Sequence, residues 1–426
     1  MKKNKKHKRT QKRRPAPTRG KLTIFSQLCN LIPGHLVATL AREHGIDKMA
    51  RSFSAWSHVV ALLYAQMTRA FGLNDVCDAL RHHCGWLARI RAAVAPSRNG
   101  LSHANKRRDP AMAEGLLWAV LEHLQTLHPR FGSKRRFKGI AGRFKRAIYA
   151  LDSTTIQLVV NCIDWARHRR KKAAAKCHMM LDIATMLPAF AVVESAGESD
   201  QRRAMQACSR LKAGDIVTFD RGYLNLAHHF ALLVRGIFFV TRTKTNVKFK
   251  VVKKRQRKAC GAILRDDEVI PENPASRAEY PQRLRRVLAL VEVDGQLVEM
   301  EFLTNNFDWS AATIADIYRN RWEVEVFFKQ IKQTLQLRDF LGNSANAVKW
   351  QVWTALLTYV LLRYEAFLSN WEHSFTRLFT LQRSVLWDRF ELWELLAFYG
   401  TAGGRMRLRI EPAQGWLPGL EPEVMG

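Results

Sequence analysis

Cysteine is scarce and scattered in this chain, and long apolar runs are missing. The seven cysteines stand singly, with an odd count and no C-x-x-C pair, which argues against a disulfide framework and for a reducing cytosol. The most apolar run, VWTALLTYVLL at 352–362, has about half the length that a helix needs to cross a bilayer. It predicts a buried helix, and we expect no membrane partner.

Acidic residues are also few relative to basic ones. The 426 residues include 37 Asp and Glu against 69 Lys and Arg, which gives a net charge of +32 and a pI near 10.4. A hydrophobic content of 47% is enough for globular cores, and the length fits two or three domains. Solubility does not require so much positive charge, so a polyanion is the natural partner and nucleic acid the first candidate.

The first 21 residues carry a dense cluster of positive charge. The segment MKKNKKHKRTQKRRPAPTRG holds ten Lys or Arg and no acid, and no apolar segment follows that would make it a signal peptide. It predicts a disordered basic arm over 1–21. A solubilising tail and a phosphate-binding segment are equally good interpretations of it.

Residues 22–130 have apolar residues at three- and four-residue steps, which predicts an all-helical N-terminal domain. Within it, the turn SRNG is followed by a polar, basic stretch that includes Arg107 and Arg108. Side chains on a short helix after a turn can enter a DNA groove. We therefore expect a DNA-binding domain here, although a basic surface loop would look the same.

A change of pattern at Ala147 predicts a second, α/β domain. The segment AIYALDSTTIQLVV resembles a strand, a tight polar turn and a returning strand; two more strands, a helix, a strand ending at Asp220, a helix and a strand follow. We expect residues 244–300 to form a β-rich insertion that divides the α/β core into 146–243 and 301–365. We expect residues 366–426 to form a C-terminal helical region.

Three acids stand where packing does not explain them. Asp152 and Asp220 follow predicted strands, and Glu325 lies on the helix after the insertion. Strand ends of an α/β sheet open at a common edge, and a helix crossing that edge can bring Glu325 between the two aspartates. Three converging carboxylates repel one another unless divalent cations lie among them, and such hard oxygen ligands suit Mg²⁺, with Mn²⁺ as a substitute. The expected chemistry is two-metal phosphoryl transfer on a phosphodiester.

The helix YRNRWEVEVFFKQIK at 318–332 adds polar residues beside its apolar stripe. At 100° per residue, Tyr318, Arg321, Glu325 and Lys332 fall within a wedge of roughly 60°. A solvated helix edge with a pair between Glu325 and Lys329 is the simpler interpretation of the helix taken alone.

These motifs together resemble the DDE transposases of bacterial insertion sequences. The matching segments are YALDST, TFDRGY, VTR at 240–242, LTNN at 303–306 and the helix above. The closest group is insertion-sequence family four, whose signature is Tyr, two residues, Arg, three residues, Glu, six residues, Lys, and the chain satisfies that spacing. The resemblance covers 146–365 and implies an RNase H-like core with a β-rich insertion. It also implies excision through a hairpin intermediate, although residues 244–300 lack the Trp that supports the hairpin in some relatives.

The resemblance assigns a role to each residue of the signature and of the acid triad. Asp152, Asp220 and Glu325 would be the catalytic metal ligands. Tyr318, Arg321 and Lys332 would contact DNA, with the two cations on phosphates near the cut.

We therefore expect a Mg²⁺-dependent transposase that binds the ends of its element and inserts it into target DNA. Its partners are double-stranded DNA and further copies of itself, as a homodimer or higher multimer in a synaptic complex, in the bacterial cytoplasm at the nucleoid. The alternatives are an RNase H-fold nuclease without strand transfer and a catalytically silent DNA-binding protein. Two-metal chemistry needs no histidine base, so His178, His228 and His229 are expected in the core or on the surface.

Overall fold

The structure is a computed structural model of the chain. It describes residues 16–46, 52–133, 144, 146–158, 167–168, 172–195, 200–244, 247–256, 261–293, 295–335 and 340–400. Most of the predicted basic arm lies outside these residues.

Seven helices occupy the described part of the chain before the sheet. Several start at a hydroxyl side chain that accepts a hydrogen bond from the first turn, for example Thr23, Ser54 and Ser97. The helices are α1 Ile24–Asn30, α2 Gly34–Glu43, α3 Ala55–Thr68, α4 Leu73–His82, α5 Cys84–Ala88, α6 Arg98–Arg107 and α7 Ala111–Leu127.

The first half of the sheet has six strands and two helices. The elements are β1 Ile148–Leu158, β2 Arg167–His168, β3 Lys172–Asp182, β4 Leu187–Ser195, α8 Asp200–Cys208, β5 Ile216–Phe219, α9 Leu226–Val234 and β6 Phe238–Arg242. β3 pairs antiparallel with β1, β2 and β4, whereas β1, β5 and β6 are parallel neighbours. α9 crosses between the parallel strands β5 and β6, as parallel pairing requires.

The predicted strand, turn and strand over AIYALDSTTIQLVV is wrong within the described residues, because β1 runs unbroken from Ile148 to Leu158. All ten of its residues from Tyr149 onward pair with β3. Asp152 is therefore inside a strand and not at its end. The β-branched residues of STTI favour the extended chain once β3 lies beside it.

Four strands and a short helix occupy the described part of the chain from Phe249 to Thr304, a range that includes most of the segment predicted as a β-rich insertion. The elements are β7 Phe249–Lys254, β8 Ile263–Pro271, α10 Pro274–Glu279, β9 Leu284–Val293 and β10 Gln296–Thr304. These strands extend the same sheet, because β10 pairs with β6 and the order continues β6-β10-β9-β8-β7.

The helix predicted over 318–332 is broken. α11 Ala311–Arg319 ends at Asn320, and α12 Trp322–Thr334 begins after Arg321. At the break, the backbone N–H groups of Arg321 and Glu323 bond to carbonyls three residues earlier instead of four, so the turn is tightened.

Three helices close the described chain: α13 Ala345–Leu368, α14 Phe375–Ser384 and α15 Leu392–Tyr399. α13 is buried around almost its whole circumference, because it packs on α3, α6 and α7 on one side and on α12 and β4 on others. The predicted N-terminal domain therefore shares its core with α13 instead of packing alone. None of the described helices is by itself long and apolar enough to span a membrane; α1 and α2 pass that test of length and composition only as a pair bent by 60°.

The C-terminal end of the predicted basic arm is bound to the fold. The backbone N–H of Gly20 donates to the carbonyl of Arg389, and the Thr18 hydroxyl donates to Glu394. The prediction of disorder over 1–21 is therefore wrong for residues 18–20, since pairing with the segment before α15 fixes them.

Candidate active site

The two predicted aspartates lie side by side on neighbouring parallel strands. Leu151 of β1 is opposite Phe219 of β5 in the register, and Asp152 and Asp220 are the next residues on the two strands. β5 ends there, whereas β1 continues beside β3. Asp152 lies inside β1, but it lies at the level where the neighbouring strand β5 has already ended.

The third acid reaches the same edge through Arg321, the residue at the break between α11 and α12. The Arg321 guanidinium donates from Nη1 to Asp152 Oδ2 at 2.9 Å and from Nη2 to Glu325 Oε1 at 2.5 Å. Its side chain is only 6% exposed, against 43% for Glu325. Arg321 therefore joins two of the three predicted metal ligands.

Tyr318 links the same guanidinium to the remaining acid. Its hydroxyl accepts a hydrogen bond from Arg321 Nε at 3.2 Å and donates to Asp220 Oδ1 at 3.4 Å. The ring packs against Phe302 of β10 and is almost fully buried. Burial raises the pKa of Tyr318 to about 12, so the hydroxyl keeps its proton as a donor.

The electrostatics of Asp152 reflect all of these neighbours. Burial raises the pKa of its carboxyl to about 6; Arg321 and the backbone N–H of Ser153 oppose that rise, whereas the charges of Glu325 and Asp220 add to it. The repulsion shows that the three acids are close enough to act on one another. The pKa of Arg321 is raised, because Tyr318 and the two carboxylates together outweigh the effect of burial.

Lys332 contacts β1 beyond Asp152. Its ammonium group donates to the carbonyl of Thr155 at 2.7 Å, three residues along the strand and so about 10 Å from the level of Asp152. A strand carbonyl is a modest partner for an ammonium group, and Lys332 is partly exposed. The ammonium group of Lys332 thus lies along β1, about three residues from Asp152.

Asp152, Asp220 and Glu325 are the candidate metal ligands of this site. Within the described ranges no three His, Cys, Asp or Glu side chains are grouped tightly enough to hold a metal ion. The Arg321 guanidinium bonds to both Asp152 and Glu325 and balances their negative charge. Carboxylate oxygens are donors of the type that hard divalent cations prefer.

The two arginines predicted to bind DNA differ in the structure. Arg107, in the last turn of α6, is exposed. Arg108 is half-buried, donates to the backbone carbonyls of Phe53 and Ser54, and lies over the Phe53 ring. Arg108 therefore connects α6 to the segment before α3 by hydrogen bonds. Arg107 is exposed, and it is the better candidate for a DNA contact.

A polar network behind Asp152 was missed at the sequence level. Ser153 Oγ donates to Asp200 Oδ1 at 3.2 Å, and Lys176 Nζ lies 2.6 Å from the same oxygen. The fully buried His178 lies between Asp200 and Glu194, at 3.5 and 3.1 Å. Asp200, directly before the helix predicted ahead of the strand that ends at Asp220, was the available signal.

The three histidines lie in the core, which is one of the two locations expected for them. His228 and His229 are buried against Phe219, and burial lowers their pKa values to about 4 and about 3. Both are neutral near pH 7. His178 is likewise buried, and its pKa is lowered mainly by burial.

The sequence of the chain is similar to those of known transposases. Residues 143–361 match the family model described as Transposase DDE domain, and residues 20–90 match a domain of unknown function, DUF4372. A protein of Sinorhizobium fredii named as transposase y4zB is 30% identical over 70% of this chain and 80% of its own length. One of Geobacillus stearothermophilus named as the transposase for insertion sequence element IS5377 is 29% identical over 52% of this chain and 57% of its own. Transposase InsG for insertion sequence element IS4, from Escherichia coli, is 23% identical over 58% of this chain and 52% of its own.

The matched family model covers more than half of the chain, so the protein is a transposase. It belongs to the DDE transposase family, among the transposases of insertion sequences.

Proposed function

We propose that this transposase cuts the ends of its element with Asp152, Asp220 and Glu325 as the metal-binding catalytic acids. The observation that carries the proposal is their convergence on one guanidinium and one hydroxyl, those of Arg321 and Tyr318. Carboxylates from two strands and a helix meet at the open edge between β1 and β5, which is where α/β proteins bind ligands. The strand order β4-β3-β1-β5-β6, with three antiparallel strands followed by two parallel ones, supports an RNase H-like core.

Mg²⁺ or Mn²⁺ bound by these acids would activate the attacking oxygen and stabilise the leaving oxygen of a phosphodiester. The chain's own side chains position the DNA around that reaction. Lys332, which bonds to the carbonyl of Thr155, would pair with a phosphate along β1, and the buried Tyr318 hydroxyl would orient Asp220.

Arg321 has two consecutive roles in this proposal. Without a divalent cation it balances Asp152 and Glu325 and prevents their repulsion from opening the site. Once the carboxylates are neutralised, its guanidinium is released to pair with a DNA phosphate, for which its planar fork is well suited. Arg321 would then contact the acids before the cation binds and a DNA phosphate afterwards.

The other elements supply DNA and partner binding. Exposed Arg98, His103, Lys106 and Arg107 lie on α6, and we assign this helix to recognition of the element ends. The net charge of +32 provides non-specific affinity for double-stranded DNA at both the ends and the target. The protein would work at the bacterial nucleoid as a homodimer or higher multimer, because two ends must be held together.

The test is cleavage of a labelled element end by the full-length protein with Mg²⁺, with Mn²⁺ and with a chelator. Asp220→Asn should reduce the rate of cleavage by at least about a thousandfold, because the loss of one group that stabilises the transition-state charge has an effect of about this size. DNA binding in a gel shift should be unchanged. Asp308→Asn, an exposed acid outside the site, is the matched control. Full cleavage by Asp220→Asn would remove this acid from the proposed site, and cleavage without joining to target DNA would favour the nuclease alternative.

A further inference from the structure

Asp152 and its neighbour Ser153 face opposite sides of the sheet, because side chains alternate along a strand. The Asp152 carboxylate accepts a hydrogen bond from Arg321 on one side. On the other side, the Ser153 hydroxyl donates to Oδ1 of Asp200, the first residue of α8, at 3.2 Å. The backbone N–H of Ser153 also donates to Asp152 Oδ1 at 2.7 Å. Ser153 therefore connects a carboxylate of the proposed site to a residue on the opposite face.

Asp200 belongs to a charge-balanced cluster on that opposite face. Lys176 Nζ lies 2.6 Å from the same Asp200 oxygen, and Arg203 Nε donates to Glu194 Oε2 at 2.9 Å. The two cations match the two carboxylates, and His178 between the carboxylates is neutral near pH 7, because burial lowers its pKa. The cluster can therefore fix the hydroxyl that is bonded to it without adding net charge beside the three acids.

The same helix also packs against the chain that follows Asp220. α8 contacts the short turn Arg221–Tyr223, which begins directly after that acid. Burial raises the pKa of Tyr223, the neighbouring Ser153 opposes that rise, and the charge of Asp200 adds to it. The beginning of α8 thus lies close to both segments that carry an aspartate of the proposed site.

We propose that Asp200 is a positioning residue for the cutting reaction. Through the Ser153 hydroxyl it fixes the part of β1 that carries Asp152, and α8 holds that part against the turn after Asp220. Mg²⁺ requires its ligands at closely defined distances, and residues that orient such ligands commonly change cation affinity or activity by about tenfold or more. Asp200 contacts neither the cation nor DNA in this role. The inference rests on the proposed function, because it concerns two of the acids assigned there.

A cluster that only stabilised the fold would have a different effect from one that positions Asp152. Loss of a stabilising contact lowers the midpoint of thermal unfolding, but it leaves the affinity of the folded protein for its cation unchanged. Loss of a positioning contact weakens that affinity. Because Asp200 acts through Ser153 in this proposal, removal of both side chains should weaken cation binding no more than removal of either one.

The experiment uses the full-length protein and two readouts of Mg²⁺ binding. One is the Mg²⁺ concentration for half-maximal cleavage of a labelled element end, and the other is the Mg²⁺ dissociation constant obtained from thermal stabilisation without DNA. Ser153→Ala and Asp200→Ala should each raise both values by about tenfold, and the double variant should show about the same increase. Ser153→Thr keeps the hydroxyl and should behave nearly as the original protein does.

Ser26→Ala is the matched control, because it removes a buried hydroxyl of α1 that bonds to Thr23. It should lower the thermal midpoint without changing either Mg²⁺ value. The comparison of Ser153→Ala with Ser153→Thr decides the question even where Asp200→Ala does not fold.

Unchanged Mg²⁺ values in Ser153→Ala would overturn the proposal. An increase of about a hundredfold in the double variant would also overturn it, because Asp200 would then act by a route other than Ser153. The proposed function fails separately, through full cleavage by Asp220→Asn. An inactive Asp220→Asn together with a normal Ser153→Ala would contradict only the positioning role of Asp200.

Discussion

Replacing Arg321 by Met removes the positive charge between the acids and keeps most of the side chain's apolar stem. Breaking a buried ion pair by removing one partner costs about 3–5 kcal/mol. Here the cost should be about 2–3 kcal/mol, because Glu325 is 43% exposed and Asp152, with a pKa of about 6, can take up a proton. We therefore expect a clearly lower midpoint of thermal unfolding near neutral pH.

A divalent cation should restore more stability to Arg321→Met than to the original protein. In the variant the cation no longer competes with a guanidinium for Asp152 and Glu325. At about ten times its dissociation constant it would contribute about 1.4 kcal/mol. The assay is thermal unfolding with Mg²⁺, Ca²⁺ or a chelator, in the absence of DNA.

Arg319→Met is the matched control, because Arg319 is 69% exposed and pairs only with the neighbouring Asp316 in the contacts described. It should unfold like the original protein and show the same gain with cations. If Arg321→Met were as stable as the original, or if cations stabilised both equally, Arg321 would not be the internal counter-ion of these acids.

Three further predictions concern single residues outside this pair. Lys332→Ala should lower end cleavage about tenfold or more without changing cation-induced stabilisation, and normal cleavage would make its match to the signature accidental. Arg107→Ala should weaken DNA binding and reduce the salt slope by about one in gel shifts, whereas Arg108→Ala should mainly lower the thermal midpoint; the reverse pattern would exchange their roles. Burial raises the pKa of Glu365 from 4.5 to about 8, so the folded protein keeps a proton that the unfolded chain releases, and stability should fall as pH rises from about 4.5 to about 8. Glu365→Gln should remove that fall in pH-dependent thermal unfolding, and an unchanged fall would mean that Glu365 is ionised in the fold.

The neighbourhood of the acids was accessible from sequence because local signals determine it. Hydrophobic runs that end in Asp152 and Asp220 predict strands, and parallel neighbours bring such ends together. The spacing from Tyr318 to Lys332 adds a helix with one polar flank. These inferences need only the periodicities of strand and helix.

The rest depended on contacts between residues far apart in the chain. STTI resembles a turn until β3 supplies ten residues of pairing. The apolar spacing continues without interruption through Asn320, so the sequence gives no local signal for the break before α12. At this break, the side chain of Arg321 bonds to Asp152. A helical projection predicts the side of the helix on which Arg321 lies, but not how deeply its side chain is buried. The burial of Arg321 against the acids was therefore visible only in the structure.

The central claim is that Glu325, and not its neighbour Glu323, acts with Asp152 and Asp220. Glu325 bonds to Arg321 at the acid site, whereas the charge of Glu323 acts on Tyr359 of α13. The decisive measurement compares Glu325→Gln with Glu323→Gln in Mg²⁺- and Mn²⁺-dependent nicking of a labelled element end. The account predicts that Glu325→Gln binds DNA and folds normally but does not nick, while Glu323→Gln nicks nearly as the original protein does. An active Glu325→Gln enzyme would contradict the catalytic assignment.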